Sequence, residues 1–181
     1  MTPSTRAVLR RLTGSGTLRH MPLGDALRGG IVCATPAVLA AVPHTPLLSW
    51  SAIAAFWTCF CDPGGSRRTR LRFALAFGAA GAVASGLGAW VGAWATLALV
   101  LAALTGFVGA FAGVKGSKVG LCALLVATDF ALSVAFPAGD LSHAVAYGAY
   151  FLYGNLWAVA FAILLWHTDP LSPARRAVAV C

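Results

Sequence analysis

The chain reads as an all-α membrane protein, a polytopic bundle of six transmembrane helices with both termini cytoplasmic. Three observations predict it. The 181 residues are 59% hydrophobic and only 10% charged, with a mean hydropathy of +0.81. Soluble domains carry about 25% charged residues, so this composition leaves too few to cover a water-facing surface. Second, residues 73–114 contain no Asp, Glu, Lys, Arg or His. A helix crosses the hydrocarbon core with roughly 20 residues, so this run is long enough for two crossings. Third, the apolar runs are continuous rather than alternating, which favours helices over a closed barrel.

Residues 1–25 are polar and basic, with Arg6, Arg10, Arg11 and Arg19. Val8, Leu9 and Leu12 offer one short apolar face for the membrane surface, and a flexible tail is the alternative. No small-x-small cleavage site follows the first apolar run, so a cleaved signal peptide is not expected. The transmembrane domain occupies residues 26–166, with spans at about 26–42, 47–61, 73–88, 92–112, 119–136 and 143–166. In span 1, Arg28 can snorkel to the headgroups and pair with Asp25, and Pro36 predicts a kink. Pro43 and Pro46 make the turn into span 2, which is short. Asp62, Pro63, Gly64 and Gly65 form a turn before the basic cluster Arg67, Arg68, Arg70 and Arg72. Spans 3 and 4 read as a tight hairpin whose turn lies at 84–90, where Ser85, Gly86, Gly88 and Trp90 gather. Pro137 and Asp140 close span 5. Residues 167–181 form a cytoplasmic tail with Arg175 and Arg176.

Orientation follows from charge. Six spans place segments 1–25, 62–72, 113–118 and 167–181 on one side, and these hold 12 of the 13 Lys and Arg residues. The thirteenth, Arg28, sits at the same end of span 1. The opposite loops near His44, Trp90 and Asp140 have none. The positive-inside rule puts the charged side in the cytoplasm. The net charge of +8 is thereby read as membrane orientation, and nucleic acid is not an expected partner. The partners expected are the lipid bilayer of a bacterial inner membrane and a small organic anion or amphiphile.

Asp129 is the one acidic residue well inside a span. A carboxylate at that depth is costly and is found buried, paired or protonated. It is the candidate for proton coupling or the substrate pathway, against the plainer reading of a carboxyl hydrogen-bonded to neighbouring helices. Thr128 and Ser133 lie near it. Tyr147, Tyr150, Tyr153 and Trp157 recur at spacings of three, three and four, roughly one helical face, with Asn155 on another. They are candidates for lining a pathway, or ordinary packing and interface anchors. Gly88 and Gly92, Gly109 and Gly113, and Gly116 and Gly120 are each four apart, which lets helix backbones approach. Of the five Cys, four lie in apolar stretches and read as small hydrophobes. No His, including His20, His44, His143 and His167, has metal-ligand spacing with a carboxylate or Cys. No metal, cofactor or enzymatic activity is expected.

The segment 19–92 resembles the fusaric acid resistance family of membrane proteins, a group that includes bacterial aromatic-acid exporters. The resemblance is carried by Leu18-Arg19-His20 and Ala26-Leu27-Arg28 entering the first span, Pro43, Pro46 and Trp50 opening the second, the Gly- and Arg-rich loop 64–72, and Phe77-Gly78-Ala79-Ala80-Gly81 in the third. Family members often have Gly-Thr at the start of that third span, where this chain has Gly78-Ala79. The resemblance implies efflux of small aromatic or organic-acid compounds. It also implies a six-helix unit followed by a cytoplasmic helical region, so a homo-oligomer or a missing second half is expected. Plant malate transporters are distantly similar, which makes an anion channel the alternative to a proton-driven permease. A non-transporting scaffold or truncated fragment is the third class.

Overall fold

A computed structural model describes residues 23–41 and 47–161. Among them are six α-helices and no strand: α1 Leu23–Ala41, α2 Leu48–Phe60, α3 Arg67–Val91, α4 Ala95–Phe111, α5 Ser117–Val134 and α6 Leu141–Val159, with a 3₁₀ turn at Ala112–Lys115. Three stretches, Arg67–Val91, Ala95–Lys115 and Ser117–Val134, are long and apolar enough to cross a membrane. The basic N-terminal segment, the His44 loop and the C-terminal tail lie outside the described residues.

Local chemistry sets the boundaries. Asp62 Oδ1 accepts from the Gly64 N–H at 2.9 Å, and Gly64 and Gly65 take φ of 73° and 82°, the region glycine enters without steric cost. Ser66 then caps α3 by accepting from the Thr69 N–H at 3.2 Å. The helix therefore begins at Arg67 and takes in the whole basic cluster. Asp140 caps α6 in the same way, accepting from the His143 N–H at 2.8 Å.

The predicted turn at 84–90 is not there. α3 runs unbroken to Val91, and the chain turns at 92–94. Ser85 and Gly88 are buried in the helix. The glycines serve close approach instead of reversal: a Cβ on Gly88 would lie 2.6 Å from the Phe130 carbonyl oxygen, and one on Gly92 would lie 2.7 Å from that of Val134. Spans 3 and 4 also fail to pack as a tight hairpin. The main helix contacts run α1–α2–α6–α3–α5–α4, so α3 lies between α6 and α5 while α4 leans on α5. Of the small pairs, Gly109 lies in the α4–α5 contact and Gly120 packs on the Gly113 backbone of the 3₁₀ turn, whereas a Cβ on Gly113 or Gly116 would meet nothing within 4 Å.

Small residues hold the centre of this row together. A Cβ on Gly81 would strike the Phe151 ring, one on Gly148 would come within 2.5 Å of the Ala82 carbonyl, and one on Gly154 would strike the Ser51 backbone. At α1, Pro36 lies inside the helix and has no N–H, so the Val32 carbonyl loses its intrahelical donor. The Trp157 indole of α6 donates to that carbonyl at 3.1 Å. A residue that would weaken α1 thus frees a carbonyl that ties α1 to α6.

Candidate functional site

Asp129 is fully buried on α5, with 0% exposure. It faces α3, where Ser85 Oγ donates to its Oδ2 at 2.6 Å. The Trp50 indole N–H of α2 donates to Ser85 Oγ at 3.1 Å. Three helices are therefore joined by one chain of hydrogen bonds that ends on a carboxylate. On Asp129 itself, Oδ1 has no hydrogen-bond partner among the described residues. Ser133, one turn on, donates to the Asp129 backbone carbonyl at 2.7 Å and leaves the carboxylate untouched.

Aromatic rings pack against the Trp50 end of this chain. Trp50 makes edge contacts with Tyr147, centroids 5.2 Å apart, and with Phe136 at 5.8 Å. Trp50 is in the first turn of α2, Ser85 is in the last two turns of α3, and Asp129 is in the last two turns of α5. The group accordingly lies nearer the end of the bundle that carries Asp140 than the end that carries the arginines.

The other predicted residues separate. Thr128 is exposed, its hydroxyl donating back to the Leu124 carbonyl at 2.9 Å. Tyr150 gives its backbone carbonyl to Ser51 Oγ at 2.7 Å. Tyr153 is 49% exposed on the outside of the bundle. Asn155 is fully buried and forms a second polar point, donating to Thr58 Oγ1 at 2.9 Å and to the Ala74 carbonyl at 3.1 Å. Its Oδ1 has no hydrogen-bond partner among the described residues and faces Gly78. Of the basic cluster, Arg67, Arg68 and Arg72 are exposed, while Arg70 is buried and grips Asp62 with two nitrogens, Nε at 2.8 Å from Oδ1 and Nη2 against Oδ2. Ser85 and Trp50 were the members that sequence reading did not attach to Asp129. Ser85 lies 44 residues from Asp129 and Trp50 lies 35 residues from Ser85, which leaves no local signal. A Ser and a Trp in apolar helices are the only hint.

No three His, Cys, Asp or Glu side chains converge among the described residues. No protein-family model, curated protein or solved structure matches the chain. The likeness of segment 19–92 to the fusaric acid resistance family therefore rests on its order of motifs alone.

Proposed function

We propose that this chain is a six-span inner-membrane permease with both termini in the cytoplasm, exporting small aromatic or organic-acid compounds at the expense of the proton gradient. The observation that carries the reading is Asp129, a carboxylate with one oxygen held by Ser85 and the other open, buried where only apolar helices surround it. Intramembrane carboxylates are expensive and mark proton and substrate pathways. Ser85 donates to Oδ2, so Oδ1 is the oxygen that takes and releases the proton. Trp50, in edge contact with Tyr147 and Phe136, holds Ser85 from the other side.

Charge supports the orientation. α3 and α5 begin, and α4 ends, at one end of the bundle, and Arg67, Arg68, Arg70, Arg72, Lys115 and Lys118 lie there. The exposed Arg67, Arg68 and Arg72 also favour a second reading, an anion channel in which the basic end concentrates anions.

Reconstituted vesicles loaded with benzoate and related aromatic carboxylates separate the two. We expect efflux to follow an imposed pH gradient and Asp129→Asn to abolish that dependence. Flux that follows voltage alone, unchanged in Asp129→Asn, would refute the coupling role and favour the channel.

A further inference from the structure

Away from the Asp129 chain, the fold brings together two thiols 61 residues apart in the sequence. Cys61 ends α2 and Cys122 lies in the second turn of α5. Cys122 Sγ donates to the Cys61 carbonyl at 3.9 Å, and the two residues share one buried cluster. Both are buried, at 1% and 8% exposure. They lie near the basic end, where residues 64–69, the end of the loop after Cys61 and the start of α3, are exposed. Lys118 is one turn before Cys122 on α5. The Asp62–Arg70 pair adjoins Cys61. A cation beside a thiol supports the attacking thiolate. Cys122 also lines an apolar groove of about 220 Å³ between α3 and α5, with Phe73, Phe77, Val119 and Val126.

We propose that Cys61 and Cys122 are a redox-responsive clasp, closing to a disulfide when a peroxide reaches the basic end of the bundle. One thiolate attacks a peroxide oxygen, the O–O bond breaks, and the sulfur becomes a sulfenic acid as the first water is released. The second thiolate attacks that sulfur, the S–S bond forms and the sulfenic oxygen leaves as water. The two sulfurs give up two electrons in all, and the peroxide accepts them. α2 and α5 are not packing neighbours in the row, being linked through α6 and α3. The disulfide thus adds a covalent link between two helices that the Trp50–Ser85–Asp129 hydrogen bonds connect only by way of α3. Cys122 precedes Asp129 by seven residues, two turns on the same buried side of α5. Closing the clasp fixes the Asp129 helix against the helix that carries Trp50.

The test uses the full chain in native membranes, treated with hydrogen peroxide, then alkylated and mapped as peptides by mass spectrometry. The expected result is a linked peptide joining Cys61 to Cys122 within one chain, with the loss of two alkylatable thiols, restored by dithiothreitol. A Cys33→Ser/Cys59→Ser/Cys181→Ser variant should behave identically, and should that variant misfold, the wild-type peptide map decides. Persistence of both thiols, a Cys33–Cys59 link in their place, or links only between chains would overturn the clasp. None of these readouts depends on transport.

Discussion

At the scale of single residues, the polar groups divide by what surrounds them. Asp129 is enclosed by apolar helices and answered by one hydroxyl, whereas Asp140 is exposed at a helix end and answered by three donors. The His143 backbone N–H foremost, then the Ser142 hydroxyl and the His143 ring, hold the Asp140 carboxyl well below the usual carboxylate range. A carboxyl lowered in the folded state stabilises above its unfolded pKa, and that contribution fades as pH falls through the folded value. Asp140→Ala should therefore lower the melting temperature at neutral pH, and by nearly the same amount in mild acid. The gap between variant and parent should close only in strong acid, below the ordinary carboxylate range. Circular dichroism melts in detergent across that range would check it. A gap that closes at the ordinary carboxylate pKa would mean the three donors do not act on Asp140.

At the scale of elements, glycine position decides which helices meet. Gly154 on α6 leaves no room for a methyl group beside the Ser51 backbone of α2, while Gly106 on α4 has nothing within 4 Å. Gly154→Ala should destabilise by about 1–3 kcal/mol, the usual cost of overpacking. Gly106→Ala should be neutral or stabilising by up to about 1 kcal/mol, since it only removes backbone freedom from a helix. Equal effects in detergent unfolding would contradict the α2–α6 contact. α4 offers a second test, because it buries only Ala98 and Gly109 and exposes Leu99, Leu104, Phe107 and Phe111. In water, Leu104→Arg on such a surface would change stability by less than about 0.5 kcal/mol. In a bilayer, Arg at the middle of a helix costs about 2.5–3.5 kcal/mol of insertion free energy. A membrane-insertion assay of α4 with and without the substitution separates the two, and indifference to Arg would argue against lipid as its surroundings.

For the whole molecule, the alternating direction of six helices places the turns at 61–66 and 112–116 at one end and those at 92–94 and 135–140 at the other. Reporter enzymes fused after Gly65 and after Gly116 should report the cytoplasm, and one fused after Ala138 the opposite side. Like signals from Gly65 and Ala138 would reject the six-span topology. The two ends are also tied differently. The Ala138 N–H donates to the Ala89 carbonyl at 2.8 Å at the far end, while the basic end holds the Asp62–Arg70 pair and the two thiols.

Hydropathy and charge by themselves determined that the described chain is helical and roughly where each helix lies. A long apolar run must satisfy its own backbone hydrogen bonds, and a helix does so locally. The same logic singled out Asp129, since one carboxylate among apolar residues needs no structure to be conspicuous. It misread Ser85, Gly86 and Gly88 as a turn, because a small residue is equally suited to reversing the chain and to admitting a neighbouring helix. Only tertiary structure decided between those uses, placed α5 and α6 on either side of α3, set Ser85 against Asp129 and Trp50 against Ser85, and brought Cys122 beside Cys61. Each of these is a contact between helices distant in the chain, fixed by which side chains fit together across an interface and left unmarked by any local spacing.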